Sequence, residues 1–454
     1  MTTADLVDDP GLRRSLSAVE VTQAFLERIE ALQPRIRALI TVTPELALAD
    51  ARRADGARAA GDPLPLDGMP IVIKDNVDVA GIRTSVGSRL FAERVADADA
   101  EIVRRLHVAG AVVLGKANMH ELAFGATSRN EAFGHVVNPQ APDRIPGGSS
   151  GGSGAAVAAD MCVAAIGTDT GGSIRLPASA CGVSGLRPTF GAVPNRGIQP
   201  VSASFDTAGP LARSVTDLRQ VLAAIFGFDP HDPTSRRGTT RLDGPDAVAG
   251  LRLGIPQELF DRSDPSVARC VLDVADALVE LGAERVAIVI PDWEAAAEAC
   301  GIVIRADAFA LYRDALTTTP ELLEPGTRER LALAAETLDV QPARAQQQIW
   351  RARIAAVFKE VDLLLLPTIA VELPFAEGSS TVETTAAVVP YTFLLAFAHV
   401  PALSIPCGAT PGGAPVGAQL AAAPWHDGAV LHAGAAVQAV TDWHRPRPLA
   451  KTSS

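Results

Sequence analysis

The chain has 454 residues, of which 48% are hydrophobic and 20% are charged, a balance typical of folded globular proteins and not of disordered ones. Its 40 basic and 52 acidic residues give a formal net charge of −12, which repels phosphate backbones, so we expect no nucleic-acid partner. The five cysteines lack C-x-x-C spacing, and the start of the chain lacks a cationic segment with an apolar core. We therefore expect a cytoplasmic protein without a disulfide framework, a metal site or a membrane span.

The first elements of the chain are predicted from capping signals and apolar runs. Ser17 opens a capping box ahead of apolar residues at helical spacing. Residues 38–43 predict a strand, and Pro44 stands where a second helix begins. The apolar run 71–73 then predicts a buried strand that ends at Lys74.

The middle of the chain alternates between helical and strand-like patterns. A short helix leads through Gly110 into an apolar strand and then Lys116. Two glycine-serine turns follow, at residues 147–154 and 170–173, and Ser214 caps another helix. This alternation predicts an α/β fold.

The second half continues the same alternation after one break. Residues 227–248 are rich in Pro, Gly and Asp, which predicts a loop-rich excursion or a sub-domain boundary. Beyond them we predict a helix that starts at Asp264, long helices over 292–316 and 327–360, strands near 402–406 and 415–420, and a helix over 427–440.

The two glycine-serine turns could meet in space, and each exposes a serine that could act as a nucleophile. A serine needs a base, because its hydroxyl is almost never ionised at pH 7. None of the eight histidines carries a local signature of such a base. A lysine can serve if burial lowers its pKa from about 10.4 toward about 7–8. Lys74, one of four lysines, follows an apolar strand and is placed for such burial. The alternative is a surface pair with Asp75 or Asp78.

Four segments in order carry a resemblance to a known family. They are GMPIVIKDNVDVAG, GKANMHELAFG, PGGSSGGSGAAVAA and GTDTGGSIRLPASACGVSGLRPTFG. Together they resemble the amidase signature family, most strongly over residues 68–215. The resemblance implies one amidase domain over residues 1–454, in which a central mixed β-sheet is flanked by helices on both faces.

The resemblance also implies a catalytic triad and the residues around it. The nucleophile falls on Ser173, the bridging serine on Ser149, and the general base on Lys74, with a cis peptide before Ser149. The family uses neither a metal nor a cofactor. The remaining implied positions are the backbone N–H groups of Thr170, Gly171, Gly172 and Ser173 as the oxyanion hole, Ala123, Phe124, Gly125 and Thr127 in the substrate loop, and Ser150, Asp169 and Arg175 as supporting residues.

Two features depart from this interpretation or compete with it. Many family members have asparagine where Ala396 stands and glycine where His399 stands, so we expect His399 or Phe397 to alter the pocket wall. Residues 147–151 also match G-x-S-x-G, the nucleophile elbow of α/β-hydrolases. That alternative needs an acid and a histidine, and it leaves Lys74 without a role.

The resemblance implies a hydrolase that cleaves small aryl or alkyl amides through an acyl-enzyme on Ser173, with anilides and carbamates open to the same chemistry. The segment NMHELAFG is most similar to the corresponding segment of the mandelamide and indoleacetamide hydrolases. The expected partner is a small-molecule amide or carbamate, with a homodimer as one arrangement. The alternative function is the amidase subunit of a tRNA-dependent amidotransferase.

Overall fold

A mixed β-sheet organises the chain in a computed structural model that describes residues 2–239, 242, 244, 247–335, 339–378, 380–445 and 449. The strands in these ranges are β1 (Leu39–Val42), β2 (Pro70–Lys74), β3 (Val112–Ala117), β4 (Ala164–Asp169), β5 (Ser184–Arg187), β6 (Thr207–Ala212), β7 (Arg252–Pro256), β8 (Glu284–Ile288), β9 (Leu363–Pro367), β10 (Ala402–Ala409) and β11 (Pro415–Ala421). Their order across the sheet is β1-β3-β2-β4-β6-β5-β10-β11-β9-β7-β8.

Helices cover this sheet. They are α1 (Thr3–Asp8), α2 (Pro10–Ser15), α3 (Ala18–Ile36), α4 (Pro44–Ala59), α5 (Glu101–Val108), α6 (Gly151–Ala158), α7 (Arg175–Cys181), α8 (Val215–Ile225), α9 (Gln257–Asp261), α10 (Pro265–Glu280), α11 (Trp293–Thr318), α12 (Pro325–Ala335), α13 (Gln341–Glu360), α14 (Thr381–Val388), α15 (Pro390–Phe397) and α16 (Asp427–Val440). Short 3₁₀ turns lie at Arg89–Phe91, Glu121–Ala123 and Pro320–Leu322. This architecture confirms the expected α/β class with a mixed sheet flanked by helices. In the described ranges, none of the helices combines the length and apolarity that crossing a bilayer requires.

Several predicted elements are confirmed. Ser17 caps α3 through a complete capping box, and Pro44 stands in the first turn of α4. Ser214 accepts a hydrogen bond from a backbone N–H of α8, and Asp264 caps α10 in the same way. These caps satisfy backbone donors that a helix start leaves unpaired, which is why they mark helix starts in the sequence.

The prediction of one helix over 327–360 is wrong. The structure has α12, which ends at Ala335, and α13, which starts at Gln341. Pro342 lies in the first turn of α13, where its missing N–H costs nothing, whereas in a helix interior it would break a hydrogen bond. A proline inside an alanine-rich pattern should have predicted two helices.

The stretch 227–248 is irregular where the structure describes it. Residues 240, 241, 243, 245 and 246 lie outside the described residues. Strands before and after the stretch belong to the same sheet. Its interpretation as an excursion or a sub-domain boundary, and that of residues 1–454 as one domain, stay predictions.

The arrangement of three strands places the candidate site. Strand β2 lies between β3 and β4 and is parallel to both. The carboxyl ends of adjacent parallel strands meet at one edge of a sheet. Lys74 at the end of β2 and Asp169 at the end of β4 therefore lie at the same edge, where the two glycine-serine turns also lie.

Candidate active site

Lys74 is fully buried at the end of β2. Its Nζ lies 2.7 Å from Ser149 Oγ and 2.8 Å from Thr168 Oγ1, and the Thr168 carbonyl oxygen is 3.4 Å away. Each of these three contacts is with a hydroxyl or a carbonyl. In the described part of the chain, no carboxylate lies within ion-pair distance of this nitrogen.

Burial lowers the pKa of Lys74 to about 7, although the carboxylates of Asp169 and Asp206 oppose the change. Removing an ammonium from water disfavours its charged form, and neutral hydroxyls compensate only in part. Near neutral pH a substantial fraction of Lys74 is therefore uncharged and able to accept a proton. The surface pair with Asp75 or Asp78 is excluded by this placement.

Ser149 and Ser150 lie in the first glycine-serine turn, just before α6. The peptide bond between Gly148 and Ser149 is cis, as the family resemblance implies. A Cβ atom on Gly148 would lie 2.7 Å from the carbonyl carbon of Ala126, so only glycine fits beside that backbone. Ser149 is fully buried and presents its hydroxyl to Lys74.

The second turn meets the first, as expected. The Ser150 N–H donates to the carbonyl oxygen of Ser173 at 3.2 Å. The Ser150 hydroxyl donates to the Thr168 carbonyl at 3.2 Å, which places it beside Lys74. Ser173 itself is partly exposed, whereas Lys74 and Ser149 are buried beneath it. The buried pair of Lys74 and Ser149 thus belongs to the same junction of two turns as the partly exposed Ser173.

Asp169 braces the second turn. Its carboxylate accepts hydrogen bonds from the Gly172 N–H at 2.7 Å and from Arg175 Nε at 2.9 Å. Burial alone would raise the pKa of Asp169, but the charges of Arg175 and Arg187 hold it well below its ordinary value. A permanently ionised Asp169 is suited to fixing the loop and not to exchanging protons during a reaction.

This bracing changes the expected oxyanion hole. The Gly172 N–H already donates to Asp169, so it is not free to bind a substrate oxygen. The N–H groups of Thr170, Gly171 and Ser173 stay the predicted donors. The Thr170 hydroxyl donates to Asp206 at 2.5 Å, which fixes the first residue of this loop.

Ser173 lines a small, half-open cavity of about 40 Å³. Three of the four predicted substrate residues, Ala123, Phe124 and Gly125, line it. The remaining lining residues are Ala126, Thr170, Gly171, Leu176, Val201, Ile304, Arg330, Thr385, Val389 and Phe393. The lining of the cavity is therefore mainly apolar, with Arg330 as its one charged side chain among the described residues.

Thr127 does not line the cavity. Its hydroxyl lies 3.2 Å from Nδ1 of His120, behind the loop. Burial lowers the pKa of His120 to about 3, so the imidazole is neutral. The loop turns at Leu122 and Ala123, which both have positive φ.

The segment with Ala396 and His399 also lies outside the cavity wall. The ring of His399 stacks on Phe190 at 4.3 Å between centroids, and Phe397 packs near Phe205. Of the same segment, Phe393 of α15 lines the cavity one turn earlier. A role of His399 or Phe397 in specificity stays a prediction.

Sequence reasoning missed Thr168, Arg187, Asp206 and Arg330. Thr168 stands directly before the second turn in the GTDTGGS segment, and this position is the only signal that could have identified it. Arg187 lies near the end of that same segment without a role that the sequence indicates, whereas Asp206 and Arg330 come from distant segments without a motif. In the part of the chain that the structure covers, His, Cys, Asp and Glu form no group of three that could hold a metal ion.

Comparisons with known proteins identify the family and the fold. The family model described as Amidase matches residues 20–431. One subunit of the glutamyl-tRNA(Gln) amidotransferase from Chloroflexus aggregans is 39% identical over 469 residues, which cover 95% of this chain and 95% of the relative.

Two solved structures share the fold along almost the whole chain. One comes from work on an unexpected vestigial protein complex and the origins of an s-triazine catabolic enzyme; it is 34% identical, has a TM-score of 0.89, and covers 97% of this chain and 98% of its own. The other is the native peptide amidase from Stenotrophomonas maltophilia, which is 31% identical, has a TM-score of 0.83, and covers 99% of this chain and 98% of its own. Both likenesses extend over the sheet and both turns.

The relatives correct one expectation and leave another open. The exclusion of a nucleic-acid partner is wrong, because a relative at 39% identity is a subunit of an enzyme named for glutamyl-tRNA(Gln). The net charge of one chain says nothing about the charge of other subunits that could carry the nucleic acid. The expected similarity to mandelamide and indoleacetamide hydrolases is not confirmed by these relatives and stays a prediction.

Proposed function

Since this chain belongs to the amidase family, we propose that it hydrolyses the C–N bond of a small amide through an acyl-enzyme on Ser173. The observation that carries the proposal is the 2.7 Å contact between Lys74 Nζ and Ser149 Oγ, directly beneath the turn that holds Ser173. A buried lysine with a pKa near 7 is a base at neutral pH, and a serine needs such a base to become a nucleophile.

In the proposed reaction Ser173 Oγ bonds to the amide carbonyl carbon. Its proton passes to Ser149 Oγ, and the Ser149 proton passes to Lys74 Nζ. The C–N bond then breaks, and the same relay returns a proton to the departing nitrogen, so ammonia or an amine leaves. Water attacks the resulting ester by the same relay, which releases the acid and restores Ser173.

The loop between β4 and α7 stabilises the negative charge that develops on the carbonyl oxygen. The N–H groups of Thr170, Gly171 and Ser173 are the donors we assign to it. Losing one donor of this kind typically lowers kcat by about 10²- to 10³-fold. Asp169 and Asp206 hold the loop from behind, so the donors are fixed before the substrate binds.

A second candidate is the amidase subunit of a tRNA-dependent amidotransferase. It is favoured by the 39% identity to a subunit of a glutamyl-tRNA(Gln) amidotransferase over 95% of both chains. The chemistry at Ser173 would be the same in that case. The ammonia would pass to another subunit, and the chain alone would release little of it.

The test is amide hydrolysis by the purified chain alone. We expect release of ammonia or amine from a panel of primary amides, anilides and carbamates, and trapping of the acyl group as a hydroxamate when hydroxylamine is added. Ser173→Ala should abolish both signals. Ser153→Ala is the matched control, because Ser153 follows the same first turn but donates to the Ile166 carbonyl, away from Lys74.

Each result separates the candidates. Hydrolysis by the chain alone supports the first. Ammonia release only after the remaining subunits of such an amidotransferase are added supports the second. Full activity of Ser173→Ala would rule out both.

A further inference from the structure

An arginine that pairs with no carboxylate of the described residues lies in the catalytic cavity. Arg330 of α12 lines the cavity with Ser173, and its guanidinium carbon lies 4.5 Å from the centroid of the Phe124 ring. Its Nε is buried and has no hydrogen-bond partner within the described ranges. It is the only ionisable side chain among the described residues that line the cavity.

A second arginine lies beside the cavity wall. A Cβ atom added to Gly301 would lie 3.1 Å from Arg305 Nη1 and 3.3 Å from Cε2 of the Phe393 ring. Arg305 of α11 therefore approaches the ring that α15 presents to the cavity. The one acid that raises its pKa is Glu298, two turns earlier on α11, and over the described ranges Arg305 forms no ion pair.

Both arginines stay charged at neutral pH. Burial lowers the pKa of Arg305, and burial together with the charge of Arg305 lowers the pKa of Arg330 to about 10. The two partly buried cations thus repel each other. Such an arrangement costs free energy in the empty protein, because neither cation faces a carboxylate of the described residues.

The fully buried arginines of this chain do not share this arrangement. Arg175 and Arg187 both pair with Asp169, and Arg13 pairs with Asp217. Stacking on Phe124 stabilises Arg330 in part, since a cation over an aromatic face is attracted to it. It does not explain why a second cation stands nearby without an acid.

We infer that Arg305 and Arg330 select amides that carry a carboxylate, which would supply the missing negative charge in the cavity. This inference rests on the proposed amide hydrolysis at Ser173 and names its substrate class. A guanidinium binds a carboxylate through two parallel hydrogen bonds, and no hydrogen-bond partner among the described residues occupies Arg330 Nε. No described lining residue is acidic, so an ammonium group on the substrate finds no partner there.

The test compares amides of equal length that differ only in charge. Glutaramate carries one carboxylate, pentanamide carries none, and L-glutamine adds an ammonium to glutaramate. Malonamate, succinamate and adipamate, each with its neutral counterpart, extend the series to other lengths. At the best length we expect kcat/KM for the acid amide to exceed that of the neutral amide by about 10- to 100-fold, the range for a hydrogen bond to a charged group. We expect L-glutamine to be a poorer substrate than glutaramate.

Arg305→Gln and Arg330→Gln should each lower this acid-to-neutral ratio by about tenfold or more. The ratio is the readout because a folding defect lowers both rates together and leaves it unchanged. Arg313→Gln on α11 and Arg328→Gln on α12 are matched controls on the same helices, and they should keep the wild-type ratio. A ratio near one in the wild type, an unchanged ratio in both variants, or a preference for L-glutamine would overturn the inference.

Binding to Ser173→Ala separates this inference from the proposed function. Calorimetry with the same amides needs no turnover. Binding of an acid amide that is lost in Arg330→Gln of this background supports the inference even if the wild type hydrolyses nothing. Absence of any charge preference in binding overturns it even if hydrolysis occurs.

Discussion

Two buried lysines on neighbouring strands show what separates a base from a structural cation. Lys74 ends β2 and Lys116 lies in β3, and both are fully buried. Lys116 pairs with Ile73, the residue before Lys74, across these parallel strands. Because successive side chains of a strand point to opposite faces, the two lysine side chains lie on opposite faces of the sheet.

The partners of the two lysines differ. Lys116 Nζ lies 3.3 Å from the Asp75 carboxylate and 2.8 Å from Thr84 Oγ1. Lys74 has the hydroxyls of Ser149 and Thr168 instead. Burial lowers the pKa of both, but at Lys116 the adjacent carboxylate opposes it directly. The two lysines therefore share their burial and the direction of the pKa change, and they differ in whether a carboxylate lies in contact with the amine.

The largest expected effect is that of Lys74→Met on activity. Methionine keeps the length and packing of the side chain but cannot accept a proton, so we expect kcat to fall by roughly 10²- to 10⁴-fold. The thermal unfolding midpoint should not fall, because the variant no longer buries an ionisable amine without an acid. Turnover and unfolding of the same preparation check both statements. A variant with wild-type kcat would remove Lys74 from the mechanism.

Lys116→Met should show the opposite pattern. It leaves the Asp75 carboxylate buried without its cation, so we expect a loss of about 3–5 kcal/mol in the free energy of unfolding. The kcat per folded molecule should stay within a few-fold of wild type. Denaturant unfolding followed by fluorescence gives the loss of stability. The double variant Lys116→Met with Asp75→Asn should recover part of it; no recovery would mean that the pair is not the source of the loss.

The sequence alone predicts one member of this pair better than the other. Lys74, Ser149 and Ser173 lie in contiguous motifs, and the parallel strands bring these motifs together. The partner of Lys116 is Asp75, which directly follows Lys74 in the sequence. The sequence does not indicate which of the two lysines Asp75 contacts, because the strand register decides it. A one-residue change of register would exchange the faces of the sheet.

Cavity residues were predictable only where they are local to a motif. Ala123 and Phe124 lie in the NMHELAFG segment and line the cavity as expected. Arg330 belongs to a helix whose sequence resembles any exposed alanine-rich helix, and only tertiary packing brings it over Phe124. Thr127 follows the same segment and is absent from the lining, and nothing in its residue type indicates this.

The pH dependence of the wild type distinguishes the two lysines in solution. Only the neutral form of Lys74 accepts a proton, so kcat/KM should rise with pH through about 7 and level off above it. Below that value the neutral fraction falls by up to about tenfold per pH unit. Lys116 should leave no trace in this profile, and Lys116→Met should keep the same midpoint. A profile that is flat from pH 5 to pH 9 would contradict the assignment of Lys74 as the base.

The smallest expected effect sharpens the comparison most, because it concerns carboxylates that act on Lys74 without touching it. The charge of Asp206 raises the pKa of Lys74, so Asp206→Asn should move the midpoint of the pH profile to lower pH. Burial raises the pKa of Asp206 itself to about 6, so the wild type loses this charge below that pH. The normalised profiles of variant and wild type should therefore differ most between pH 6 and 7, by roughly two- to threefold, and converge in more acidic solution.

Lost hydrogen bonds to Thr170 lower only the plateau, which normalisation removes. Asp307→Asn, which affects Ser202 and Arg344 instead, is the control and should leave the midpoint in place. An unchanged midpoint in Asp206→Asn would mean that contact with a carboxylate, and not its field at a distance, decides which buried lysine becomes a base.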